Sequence, residues 1–214
     1  MKNELEISLA NSFAGSDLSA AANIAEVGLD AVLNEGVLRE IPILGTIVGV
    51  SRAGGAIRDR IYLKKVARFL TALSTAGELE RESFMKNLGD QDSRIRFSES
   101  VLMLIERADD IRKADLIGYL WASCARDEIK YSDAVRLCYM VNRAFYTDLE
   151  FLQNMKFGVQ GEDTPIAEAL FSSGLVSDFG FCGGNFSDRL SAGTRFGRNK
   201  YGDMLVEFGL NQNA

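Results

Sequence analysis

Only two prolines interrupt these 214 residues, Pro42 and Pro165, so helices can run unbroken over most of the chain and end where other residues stop them. Helices that pack on a core must then show apolar residues at three- and four-residue steps. Across 57–73 they do: Tyr62, Leu63, Val66, Phe69, Leu70 and Leu73 project to one side, and Arg58, Arg60, Lys64, Lys65 and Arg68 to the other. Ile57 and Ile61 fall in the middle of the basic side, which therefore reads as a surface that meets a partner.

Further helices are expected at about 17–36, with Ser16 or Asp17 as N-cap, at 80–88, and in close order at 93–107, 110–126 and 132–155. Val135, Cys138, Val141, Phe145, Leu149 and Leu152 make the last of these the clearest. Asp109 or Asp110 should cap the second of the three, Ser132 or Asp133 the third, and Trp121 should anchor the core between them. Short connectors predict antiparallel neighbours in an up-and-down bundle.

The stretch 41–51 is uncharged and strongly apolar, and Gly45, Gly49 and Ala53 form a small-residue stripe at helical spacing, the pattern that lets two helix backbones approach. It supports two readings. One is a tightly packed core hairpin; the other, taken with the basic helix after it, is an element that seeks anionic lipid and inserts. No run reaches the roughly 18 apolar residues of a membrane-spanning helix. The first eleven residues carry Glu4 and Glu6 where a signal peptide would be basic and then apolar, so a cytoplasmic protein is expected, with peripheral membrane association as the alternative.

Net charge is −6, unevenly placed. Residues 1–40 hold seven acidic and two basic groups, 52–73 six basic and one acidic, and 185–200 four basic and one acidic. There is no histidine, which removes the commonest general base and zinc ligand. Cys124, Cys138 and Cys182 have no paired spacing, the glycine-rich stretches match no nucleotide-binding motif, and the acids at 106–115 lack calcium-loop spacing. No catalytic residue, metal ligand or cofactor is implied.

About half of the glycines lie beyond residue 157, placing an expected boundary between a helical domain at 1–157 and a subdomain at 158–214. There, Thr164-Pro165 opens a helix that ends in Gly174-Leu175-Val176. Alternating Val176, Asp178, Phe179 and Phe181 read as a strand, and Thr194-x-x-Gly197 reads as the start of a closing helix to Phe208. On these motifs the last quarter resembles a winged-helix module, a resemblance that implies a two-stranded wing and DNA binding through the helix before it. That helix carries Glu168 and no cation from Thr164 to Ser173, so phosphate contacts would fall to Arg189, Arg195, Arg198 and Lys200.

The sequence thus predicts a mainly α fold, a multi-helix bundle with a C-terminal winged-helix-like subdomain containing a small β-hairpin. The expected function is non-catalytic binding or regulation through protein partners on Arg58, Arg60, Lys64, Lys65 and Arg68. Anionic membrane ranks second, nucleic acid third, and self-association is compatible with the small-residue faces.

Overall fold

The structure is a computed structural model that describes residues 3–15, 18, 21–22, 41–51, 57–155, 157–158, 163–182 and 193–213. Among these the chain is mainly helical, with ten α-helices and one two-stranded antiparallel sheet near the C-terminus. Contacts divide it into two compact units, 1–134 and 135–214; the glycine-rich composition shift lies within the second. The expected helix at 17–36 lies outside the described residues apart from 18, 21 and 22, of which Leu18 and Ala21 are buried.

The first unit contains α1 (Glu4–Gly15), α2 (Pro42–Ser51), α3 (Ile57–Leu73), α4 (Glu78–Asn87), α5 (Gln91–Arg107), α6 (Lys113–Ala125) and the start of α7 (Tyr131–Arg143). Helix α1 was not among the expected elements. Glu4 and Glu6 suit the positive end of its dipole, and it buries Leu9 and Phe13, one turn apart. Phe13 enters an aromatic cluster in which its ring meets Phe84 at 5.3 Å and Phe97 at 5.4 Å. Phe97 then meets Trp121 edge-on at 4.8 Å, an arrangement that adds about 1 kcal/mol per pair beyond area burial. Trp121 is 1% exposed, the core anchor expected of it.

The apolar stretch at 41–51 forms α2, whose Ile43, Leu44 and Ile47 are buried. Ser12 of α1 accepts the Ile43 N–H at 3.1 Å, satisfying one of the donors that a helix start leaves open, and Ser8 and Thr46 share a hydroxyl hydrogen bond at 2.8 Å. Of the expected small-residue stripe, Gly45 is half-buried, and Gly49 is exposed, a Cβ built on it meeting nothing within 4 Å. Ala53 lies outside the described residues.

Close approach occurs at Gly118. A Cβ there would lie 2.5 Å from the Phe69 carbonyl oxygen and 2.6 Å from the Ala72 Cβ, so α6 rests directly on the backbone of α3. Among the described helices this is the most extensive pairing in the unit, and it corrects the expected up-and-down order, in which α6 would pack chiefly on its predecessor α5. Helix α6 is buried along nearly its whole length, so sequence adjacency gives way to the neighbour that covers most of it.

The expected single helix at 132–155 is two. Helix α7 ends at Arg143, Ala144 and Phe145 intervene, and α8 (Tyr146–Asn154) begins with Phe145 in extended conformation as its N-cap. Leu149 and Leu152 are buried as the periodicity requires, but Phe145 is 67% exposed. The break is invisible to periodicity because Leu149 and Leu152 stay in phase with the α7 stripe across it. Helix α7 starts at Tyr131, with the Lys130 carbonyl accepting the Asp133 and Ala134 N–H groups, one residue before the expected cap Ser132.

The second unit continues with α9 (Thr164–Ser173), β1 (Val176–Cys182), β2 (Gly193–Arg198), α10 (Lys200–Phe208) and a final 3-10 turn at Leu210–Asn213. Gly174 ends α9 in the left-handed conformation at φ 92°, and its N–H returns to the helix carbonyls. The strands pair antiparallel from Val176 opposite Arg198 to Cys182 opposite Gly193, with an irregularity between Asp178 and Phe181. The expected closing helix from Thr194 is therefore corrected. Residues 193–198 form the second strand because Thr194 and Phe196 find partners on β1, and the true cap is Asn199, which accepts the Tyr201 and Gly202 N–H groups at 2.9 and 3.1 Å.

Candidate binding groove

Helix α3 is amphipathic as its sequence predicts. Leu63, Val66, Phe69, Leu70 and Leu73 are buried, while Ile57 and Ile61 are 79% and 48% exposed. The two isoleucines stand one turn apart and border an open groove of about 650 Å3. Leu5 of α1, Ile57, Ile61 and the Tyr62 ring form its apolar part; Arg58, Asp59, Lys65 and Glu106 supply its charges. Single exposed isoleucines are ordinary, whereas two of them on one groove beside cations form a patch suited to a ligand with both characters.

The five cations of α3 have separate tasks. Arg68 makes an ion pair with Asp115 of α6, its Nε donating to both carboxylate oxygens at 2.9 Å. Lys65 donates to the Glu106 and Ala108 carbonyls at 3.2 and 2.5 Å, closing the carbonyl end of α5 with a cation that also suits its dipole. Arg58 Nη2 reaches Glu106 Oε1 at 2.7 Å in solvent, with side chains 82% and 56% exposed. Arg60 is exposed, and Lys64 is half-buried one turn beyond it. The expected site is thus divided: Lys65 and Arg68 hold helices together, while Arg58, Arg60 and Lys64 remain at the surface with Ile57 and Ile61.

Electrostatics follow this division. Burial raises the Asp115 carboxyl above its usual range, outweighing the opposite pull of Arg68. Burial also lowers the Lys65 ammonium, opposed by Asp109 and Glu106. Burial, then the nearby Glu106 and Glu6 carboxylates, push the Tyr62 hydroxyl up, so it stays protonated. At the corner between α5 and α6, Asp110 accepts the Arg112 backbone N–H at 2.8 Å and binds its guanidinium. The expected cap is corrected: α6 begins at Lys113 with Arg112 at its N-cap position and no side-chain cap, and Asp110 and Asp109 act instead as turn and ion-pair partners of Arg112 and Lys113.

In the second unit the cations are also partly engaged. Arg198 pairs with Asp203 at 3.1 Å and reaches the Leu152 and Gln153 carbonyls at 3.4 and 3.3 Å; Lys200 lies 5.5 Å from the Tyr201 ring. Arg195 is exposed, and Arg189 lies outside the described residues. Sequence reasoning missed an aromatic pair here: Phe157 and Phe179 meet at 5.0 Å over Gly197, and they are 68% and 54% exposed. Phe179 was legible only as one step of a strand alternation.

Among the described residues no cluster of His, Cys, Asp and Glu is placed to hold a metal, and no helix is long and apolar enough to cross a membrane. Cys124 is buried, and burial, aided by Asp127, pushes its thiol up to about 12, which withholds the reactive thiolate at neutral pH. Comparison of the chain with models of known protein families, with curated proteins and with solved structures gives no match, so its own geometry carries the functional reading.

Proposed function

We propose that this chain is a non-catalytic binding protein whose groove at the start of α3 takes an acidic amphipathic segment of a protein partner. The observation that carries this reading is the exposure of Ile57 and Ile61 on the same groove as Arg58, with Arg60 exposed and Lys64 half-buried on the same helix. A helix with leucine-like anchors on one side and carboxylates beside them would bury the isoleucines and pair with the cations, the groove-binding mode of amphipathic helices. Charge would steer the encounter, and the apolar anchors would hold it.

The test uses a fluorescein-labelled peptide with glutamate and leucine at helical spacing, followed by anisotropy at low salt. Ile57→Ser, Ile61→Ser and Lys64→Glu together should weaken binding at least about tenfold, or about 1.4 kcal/mol, with the melting temperature unchanged. An unaltered affinity, or no binding by the native chain, overturns the reading. Binding to phosphatidylserine vesicles without binding to the peptide would do the same and point to a lipid surface.

A further inference from the structure

The groove contains a carboxylate of its own. Glu106, in the last turn of α5, meets Arg58, the second residue of α3, at 2.7 Å on the rim. Each charge stands at the end of its helix where the dipole disfavours it, a carboxylate at a C-terminus and a guanidinium at an N-terminus, so the pair relieves two local penalties together. It is nevertheless solvated on both sides, and ion pairs of that kind are weak enough to exchange partners. Among the described lining residues, Glu106 and Asp59 balance Arg58 and Lys65, and withdrawal of Glu106 leaves these residues net positive.

We infer that Glu106 is a built-in competitor: it occupies Arg58 in the free protein, and an acidic partner segment binds by supplying a carboxylate that displaces it. This rests on the proposed binding role of the groove and adds its regulation. The backbone near Glu106 is held independently of its side chain, because Lys65 bonds the Glu106 and Ala108 carbonyls. The side chain can therefore swing away while the end of α5 stays in place. Any change that neutralises or removes this one carboxylate opens the site, and any segment rich in acids competes for the same guanidinium.

The experiment measures the same glutamate-leucine peptide, with its glutamine-leucine counterpart as neutral control, against the full chain and its Glu106→Gln, Glu106→Ala, Arg58→Ala and Arg58→Ala/Glu106→Gln forms. Both Glu106 variants should bind the acidic peptide about two- to fivefold more tightly, the range that an exposed ion pair allows, without a gain for the neutral peptide. The gain should vanish in the Arg58→Ala background, because the competitor acts through that residue. Equal or weaker binding by the Glu106 variants, while the native chain binds, overturns the competitor and leaves the groove reading intact. A gain that persists without Arg58 also overturns it, since general charge would then be the cause. If the native chain does not bind the peptide, groove and competitor fall together.

Discussion

The two halves of α3 carry the same kinds of residue and meet different fates. Towards its end, Phe69, Leu70, Ala72 and Leu73 are buried, Gly118 of α6 rests on its backbone, and Arg68 is tied to the largely buried Asp115. Towards its start, Ile57 and Ile61 face solvent, and Arg58 pairs with a carboxylate that is itself exposed. A cation beside apolar residues is thus structural in one half and available in the other. Burial of its partner makes the difference, because desolvated pairs resist exchange and solvated pairs do not.

Three substitutions probe this contrast. The largest effect is expected from Gly118→Ala, which should cost about 3 kcal/mol through overpacking against backbone and Ala72, even though alanine suits a helix better than glycine. A loss below about 1 kcal/mol in urea unfolding would mean that α3 and α6 separate easily, and the contrast between the halves would blur.

Asp115→Ala should come next, at about 2 kcal/mol at pH 7, by leaving Arg68 without this carboxylate. Its pH dependence has a definite sign. The folded-state carboxyl of Asp115 is raised, so the native chain binds its proton more readily than the unfolded one, and this site gains stability as pH falls through that raised value towards the unfolded one near 3.8. Asp110 and Glu128 are lowered, chiefly by hydrogen bonds from Arg112 and Arg126; their contribution is present at neutral pH and is lost as pH falls below their ordinary values of 3.8 and 4.5. Removing Asp115 should therefore steepen the acid loss of stability, read as urea midpoints between about pH 7 and pH 3. An unchanged or shallower slope would contradict the assignment.

Arg58→Ala is expected to change stability least, by under about 0.5 kcal/mol, while weakening the acidic peptide. If its unfolding cost equals that of Asp115→Ala, the start of α3 is bound into the fold no less firmly than its end, and the groove loses its claim on a partner.

Much of the helical content was legible because the 3.6-residue period survives in any one chain segment: α3, α5 and α9 begin and end near their expected positions, and Trp121 is buried as expected. Breaks were less legible. Nothing in the apolar phase marks the interruption at Phe145, and Thr194-x-x-Gly197 satisfies a helix start as well as it satisfies a strand until β1 is there to pair with it. Within the glycine spacing of α2, Gly49 has open space around it, while the lone Gly118 marks a close approach to the backbone of α3. A glycine pattern records where a backbone is bare, and only the neighbouring element decides whether anything approaches it.

The candidate groove divides in the same way. The sequence alone placed Ile57 and Ile61 among the cations of α3, because helical projection depends only on local spacing. It also determined that the chain would be mainly helical, through periodicity and the scarcity of proline. Which cation meets which carboxylate was decided by the tertiary structure: Asp115 is 47 residues from Arg68 and Glu106 48 from Arg58, and Lys65 reaches the carbonyls of an α5 end that local pattern could not bring near it. Ion pairing depends on distance in space and on how much water remains around the pair, and both are set by the packing of α3 against α5 and α6.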